Sequence, residues 1–127
     1  MAVGEARGRG SGRAPPGALR VLVSFTPEYA AYGEALFLRL REARQGVQTT
    51  LVPFREAGEA VARLRPHLVV SDGAVVAPGV AKARIASEPT EPSTMRRAGV
   101  VRTVVNPSLE DLLDFIEEVA ESVREDR

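Results

Sequence analysis

Apolar residues along the chain fall into short runs separated by stretches of helical period, starting at Leu19. Arg20–Phe25 (RVLVSF) is an apolar run that suits a strand buried on both faces. Thr26-Pro27-Glu28 predicts a helix start, with Thr26 as cap and Pro27 at the first helical position. From there to Arg44, Tyr29, Tyr32, Leu36, Phe37 and Leu40 recur at helical spacing, and Gly46 closes the helix. Val47–Val52 reads as a second strand. Arg55–Leu64 reads as a short helix with Ala57, Ala60, Val61 and Leu64 inward, ended by Pro66. His67–Ser71 (HLVVS) is the strongest central strand.

The remainder reads as Arg84–Ser87, a short fourth strand; Ser93–Ala98, a short helix ended by Gly99; and Val100–Val105, a fifth strand. Asn106-Pro107 stops that strand. Ser108 with Asp111 three residues on then forms a capping box for a last helix that buries Leu109, Leu112, Leu113, Ile116, Val119, Ala120 and Val123. Phe115 falls off that stripe and is expected to be exposed among acids.

Strands alternating with helices imply a parallel sheet covered on both faces, and right-handed crossovers leave few topologies. The pattern predicts a flavodoxin-like three-layer α/β domain over residues 19–125. Its five-stranded parallel sheet has the order 2-1-3-4-5, with helix three reduced to a turn around Ala77–Lys82 or missing. A ligand of such a sheet sits beyond the tips of the first and third strands, here Ser24-Phe25-Thr26 and Ser71-Asp72-Gly73.

Composition narrows the classes. The chain has 127 residues, 44% hydrophobic and 27% charged, as in one ordinary globular domain. No run reaches the about 20 apolar residues of a membrane helix. Residues 1–18, rich in Gly, Arg and Pro, read as a disordered leader without a secretory apolar core. Absence of cysteine removes disulfides and thiolate chemistry, and a cytoplasmic location follows as the expectation. Net charge is zero, giving the fold no pull toward nucleic acid. The last helix is nonetheless acidic, with Glu110, Asp111, Asp114, Glu117, Glu118, Glu121 and Glu125 among its residues.

Three segments carry a resemblance. They are Arg65–Asp72 (RPHLVVSD), Pro78-Gly79, and Arg96–Leu113, which runs Arg-Arg-Ala-Gly, a valine-rich strand, then Asn106-Pro107-Ser108 and a helix. Together they resemble the receiver domain of bacterial response regulators, over about Ala18 to Val123. The resemblance implies that Asp72 stands where the phosphoacceptor would be and Ser87 where a small hydroxyl residue follows the phosphoryl group. The acidic pair that would hold Mg²⁺ is replaced by Phe25 and Thr26, and the phosphate-contacting lysine by Asn106. A hard divalent ion needs oxygen ligands, so catalysed phosphotransfer is not expected. Asp72 and Ser87 are also only fifteen positions apart (87 − 72), about half the receiver spacing.

The site residues are therefore Asp72, Ser87, Asn106 and Thr26, as a phosphoacceptor or vestigial site, with no catalytic residue, metal or cofactor. The leading expectation is a stand-alone degenerate receiver-like interaction module rather than an enzyme. It would meet a protein partner or a second copy through the Ser93–Ala98 helix, the fifth strand and the last helix, with Phe115, Glu118, Arg96 and Arg97 at the interface, and would meet no membrane. Two alternatives stay open: a phosphoaccepting receiver using Asp72, and a small-ligand domain using the hydroxyls of Ser24, Thr26, Ser71 and Ser87. His67, at the opposite end of the sheet, is expected to be structural.

Overall fold

The computed structural model describes residues 18–43 and 46–125. The leader, apart from Ala18, and the end of the first helix at Arg44 lie outside the described residues. The elements are β1 (Leu19–Val23), a 3-10 turn (Pro27–Tyr29), α1 (Ala30–Ala43), β2 (Val47–Leu51), a second 3-10 turn (Phe54–Glu56), α2 (Ala57–Leu64), β3 (Leu68–Ser71), β4 (Ala81–Arg84), β5 (Pro92–Arg97), β6 (Val100–Val105) and α3 (Leu109–Glu125). They form one six-stranded sheet in the order β2-β1-β3-β4-β5-β6.

This sheet is mixed, which overturns the flavodoxin-like five-stranded parallel fold. β2, β1, β3 and β4 run parallel, but β4–β5 and β5–β6 are antiparallel. The misreading lies in two segments. Ser93–Ala98 is not a helix: Pro92–Arg97 is strand β5, with Ser93 and Met95 buried and their neighbours more exposed, a period of two. Its helix-forming Met-Arg-Arg-Ala run is overridden by pairing with the valine-rich β6. The Gly99 read as a helix end instead belongs to a two-residue hairpin turn, Ala98-Gly99, with φ of 49° and 84°. The fourth strand is Ala81–Arg84 rather than Arg84–Ser87, and residues 85–91 form a loop toward β5.

Parallel neighbours ordinarily need a crossover of a dozen or more residues, usually a helix. β3 and β4 are joined by residues 72–80 alone, nine positions. Val75 and Ala77 of this loop occupy the place a helix would fill, against Leu22, Val69, Ala57 and Ala60. That is a small core on the α2 face.

The opposite face holds the main core. Val21, Val23, Leu68, Val70, Ala83 and Met95 meet Leu36 and Leu40 of α1 and Leu112, Phe115, Ile116 and Val119 of α3. Each fully buried aliphatic side chain contributes about 1.5–3 kcal/mol. Phe115, expected on the surface, is 2% exposed. It stands three residues after Leu112 and four before Val119, so it shares their face. Ser108 and Asp111 do form the reciprocal cap of α3, at 3.1 and 2.8 Å.

Candidate functional site

The tips of β1 and β3 are tied together by one carboxylate. Beyond β1 the chain passes Ser24, whose N–H donates to the Val70 carbonyl at 3.0 Å, and turns at Thr26. The Thr26 N–H donates to Asp72 Oδ1 at 2.8 Å, and its hydroxyl donates to Oδ2 at 2.6 Å. The threonine expected to cap α1 makes no such cap; it holds Asp72 instead. Thr26 and Asp72 are thus in direct contact.

Around this clamp lies a cleft of about 210 Å³. One wall is aromatic: Phe25 from the end of β1, Tyr29 from the 3-10 turn and Tyr32 from α1. Phe25 and Tyr32 meet edge to face with ring centroids 5.3 Å apart. Gly33 makes this packing feasible, since a Cβ there would lie 2.7 Å from the Phe25 ring. The other wall is the 85–91 loop with Ser87, Glu88 and Glu91, and beyond it Asn106 and Pro107. The loop is pinned where Ala86 N–H donates to the buried Ser93 hydroxyl at 2.8 Å. Asn106 takes a left-handed turn, φ 49°, as the chain leaves β6.

Asp72, Ser87 and Asn106 therefore line one cleft, with Thr26 behind Asp72. The hydroxyl cluster does not form as expected. Ser24 is buried with no side-chain partner, Ser71 accepts from Gly73 N–H at 3.0 Å, and only Ser87 of the four lines the cleft. The aromatic wall differs from the expected buried stripe of Tyr29 and Tyr32 on α1: Tyr32 is 48% exposed and lines the cleft. Helical spacing joins Tyr29 and Tyr32 but does not separate a cleft wall from a core stripe, and Phe25 precedes the helical turn.

Among the described residues, none that lines the cleft is basic, whereas Asp72, Glu88 and Glu91 are acidic. A smaller adjoining cavity shares Asp72, Ser87 and Glu91 and adds Arg84 and Thr94. Among the described residues, no group of three or more His, Cys, Asp or Glu is arranged to hold a metal ion. Partial burial raises the Tyr32 phenol above its ordinary 10.0, so the hydroxyl stays protonated at neutral pH. A shallow groove between α1 and α3 continues from the cleft past Tyr32, Ile85 and Pro107.

The interface set is dispersed. Phe115 is in the core. Glu118 accepts two bonds from Arg102 on β6 at 2.7 and 2.8 Å and lies 3.9 Å from Arg97. Arg96 lies on the opposite face of β5, exposed, directly across from Lys82 of β4. His67, at the far end of the sheet, accepts the Arg20 N–H through Nδ1 at 2.9 Å, a strand-edge contact. No described helix is long and apolar enough to cross a membrane.

Comparison of the chain with protein-family models, with curated proteins and with solved structures finds no match.

Proposed function

We propose that this chain is a binding module rather than a catalyst, and that its strand-tip cleft receives a cationic nitrogen group, an ammonium or a guanidinium. The observation that carries the reading is the lining itself: three aromatic rings and three carboxylates, with no basic side chain among the described residues. Ring faces attract cations, and the attraction grows as water is excluded. A carboxylate held from behind, as Asp72 is by Thr26, presents its remaining lone pairs without first losing conformational freedom. The volume of about 210 Å³ falls below the ~300–1,000 Å³ typical of small-molecule pockets. It suits the end of a side chain or a small amine better than a nucleotide.

The same lining disfavours the phosphoacceptor alternative, because an incoming phosphoryl group would meet Glu88 and Glu91 beside Asp72, with Asn106 where a receiver offers a lysine. An NMR titration tests the reading with four probes: butylamine, methylguanidine, an acetylated lysine-containing peptide, and Mg²⁺ with beryllofluoride. Shifts at Tyr32, Asp72 and Asn106 with the cationic probes, weakened about fivefold or more by Asp72→Asn, support it. Peptide binding without butylamine binding makes the source a protein side chain. Shifts at Asp72, Ser87 and Asn106 with beryllofluoride alone would overturn it and revive phosphotransfer.

A further inference from the structure

Among the described residues β6 is the outer strand of the antiparallel half with its edge free, and a single charged residue is the one device it carries against edge-to-edge pairing. It contains no proline or glycine and pairs with β5 without a bulge, from Pro92↔Val105 to Arg97↔Val100. Val100, Val101 and Val105 expose 59%, 46% and 60% of their surface. The one charged residue of the strand, Arg102, is already neutralised by Glu118 at 2.7 Å. Independently of the cleft, we propose that a second copy of this chain pairs antiparallel with β6. A two-fold axis through Thr103 would then join the two six-stranded sheets into one.

Backbone geometry selects this register. In a two-residue hairpin turn such as Ala98-Gly99, the flanking residues Arg97 and Val100 exchange both backbone bonds. Alternation then directs the peptide groups of Val100, Arg102 and Val104 toward β5, and those of Val101, Thr103 and Val105 toward the free edge. Pro92 agrees: it stands opposite Val105, a position that asks for no N–H toward β6.

Opposed residues in a two-fold antiparallel pair share a face, so the axis must pass midway between one residue and its own copy. Centred on Arg102, the pairing would set two guanidinium groups opposite one another, which is unfavourable. Centred on Val104, it would set Val101 opposite the partner's Pro107, beyond the strand. Centred on Thr103, it sets Thr103 against the partner's Thr103, and Val101 against the partner's Val105 twice. Every outward N–H and C=O of the strand then finds a partner, and the exposed Val101 and Val105 cover each other's copies. A junction of five residues per chain is smaller than the ~1,200 Å² of a standard interface, so the dimer dissociates on dilution.

Sedimentation equilibrium over a concentration series tests the proposal, together with site-specific cross-linking. The chain has no cysteine, so Thr103→Cys carries the only thiol. A short bis-maleimide links it to a second copy, whereas Gln48→Cys on the opposite edge strand stays monomeric. Thr103→Pro deletes an N–H that β5 does not use and raises the dissociation constant more than about tenfold. Val101→Lys, which keeps the backbone unchanged, acts in the same direction and carries the test if the proline variant fails to fold. A wild-type chain that stays monomeric at millimolar concentration overturns the proposal. So does a dimer indifferent to both substitutions, or equal cross-linking at positions 48 and 103.

Discussion

In β2-β1-β3 both faces of the sheet are covered, by α1 and α3 on one side and α2 with the 72–80 loop on the other. Leu22, Val23, Val69 and Val70 there expose at most 2% of their surface. In β4 and β5 the α3 side is covered, through Ala81, Ala83 and Met95, while β6 is exposed along most of its length; among the described residues, Val101, Thr103 and Val105 on the other face belong to neither hydrophobic core. Yet VVRTVV of β6 is richer in β-branched residues than LRVLV of β1. What separates the halves is the connection. A crossover helix follows β1 and β2, a bare loop follows β3, and a tight turn follows β5. Burial is decided by what the connection brings over the sheet, and strand composition alone does not report it.

The sharpest way to break this contrast is to truncate one residue in each half. Leu22→Ala removes a side chain sealed under α2 and costs about 2–5 kcal/mol. Val101→Ala, measured in dilute solution, changes stability by no more than about 0.5 kcal/mol. Chemical denaturation reads both, and comparable losses would mean that the bare face is covered. A second substitution probes how tightly the covered half is built. Gly→Ala inside a helix ordinarily gains up to about 1 kcal/mol. At Gly33 the new Cβ meets the Phe25 ring at 2.7–2.9 Å, so Gly33→Ala instead loses about 1–3 kcal/mol by overpacking. A gain in melting temperature would show that the aromatic wall gives way. The smallest effect belongs to the open half. Lys82 and Arg96 stand directly opposite each other, so Arg96→Thr stabilises the chain by about 0.2–1 kcal/mol, the more so at low salt. A loss there would mean that Arg96 has an attractive partner.

The same division marks what the sequence could convey. Strands around Leu22, Thr49 and Val69, and the helices bearing Leu36, Ala60 and Ile116, were legible because their hydrophobic period matches their burial. Between Asp72 and Gly99 the period misleads. Met95-Arg96-Arg97-Ala98 has helical propensity and a following glycine, and only the long-range pairing with β6 makes it a strand. Phe115 was misplaced because a stripe drawn too narrowly omits a neighbour three residues from Leu112. At the cleft, Asp72 and Asn106 directly follow β3 and β6 and are legible as strand-end polar residues, whereas Ser87 lies in the loop beyond β4. The Phe25, Tyr29 and Tyr32 wall is not legible, since an aromatic residue lining a cleft and one buried in a core share the same helical spacing.

The Ala98-Gly99 turn also orders events in time. β5 and β6 are neighbours along the chain and can zip on a scale of about 1–10 μs. The pairing of Val21 with Leu68 must close forty-seven positions (68 − 21), a slower search. The hairpin is thus ready before the sheet it joins, and until β4 arrives both of its edges are open. A nascent chain passes through that interval at every synthesis, with the least protected strand formed first.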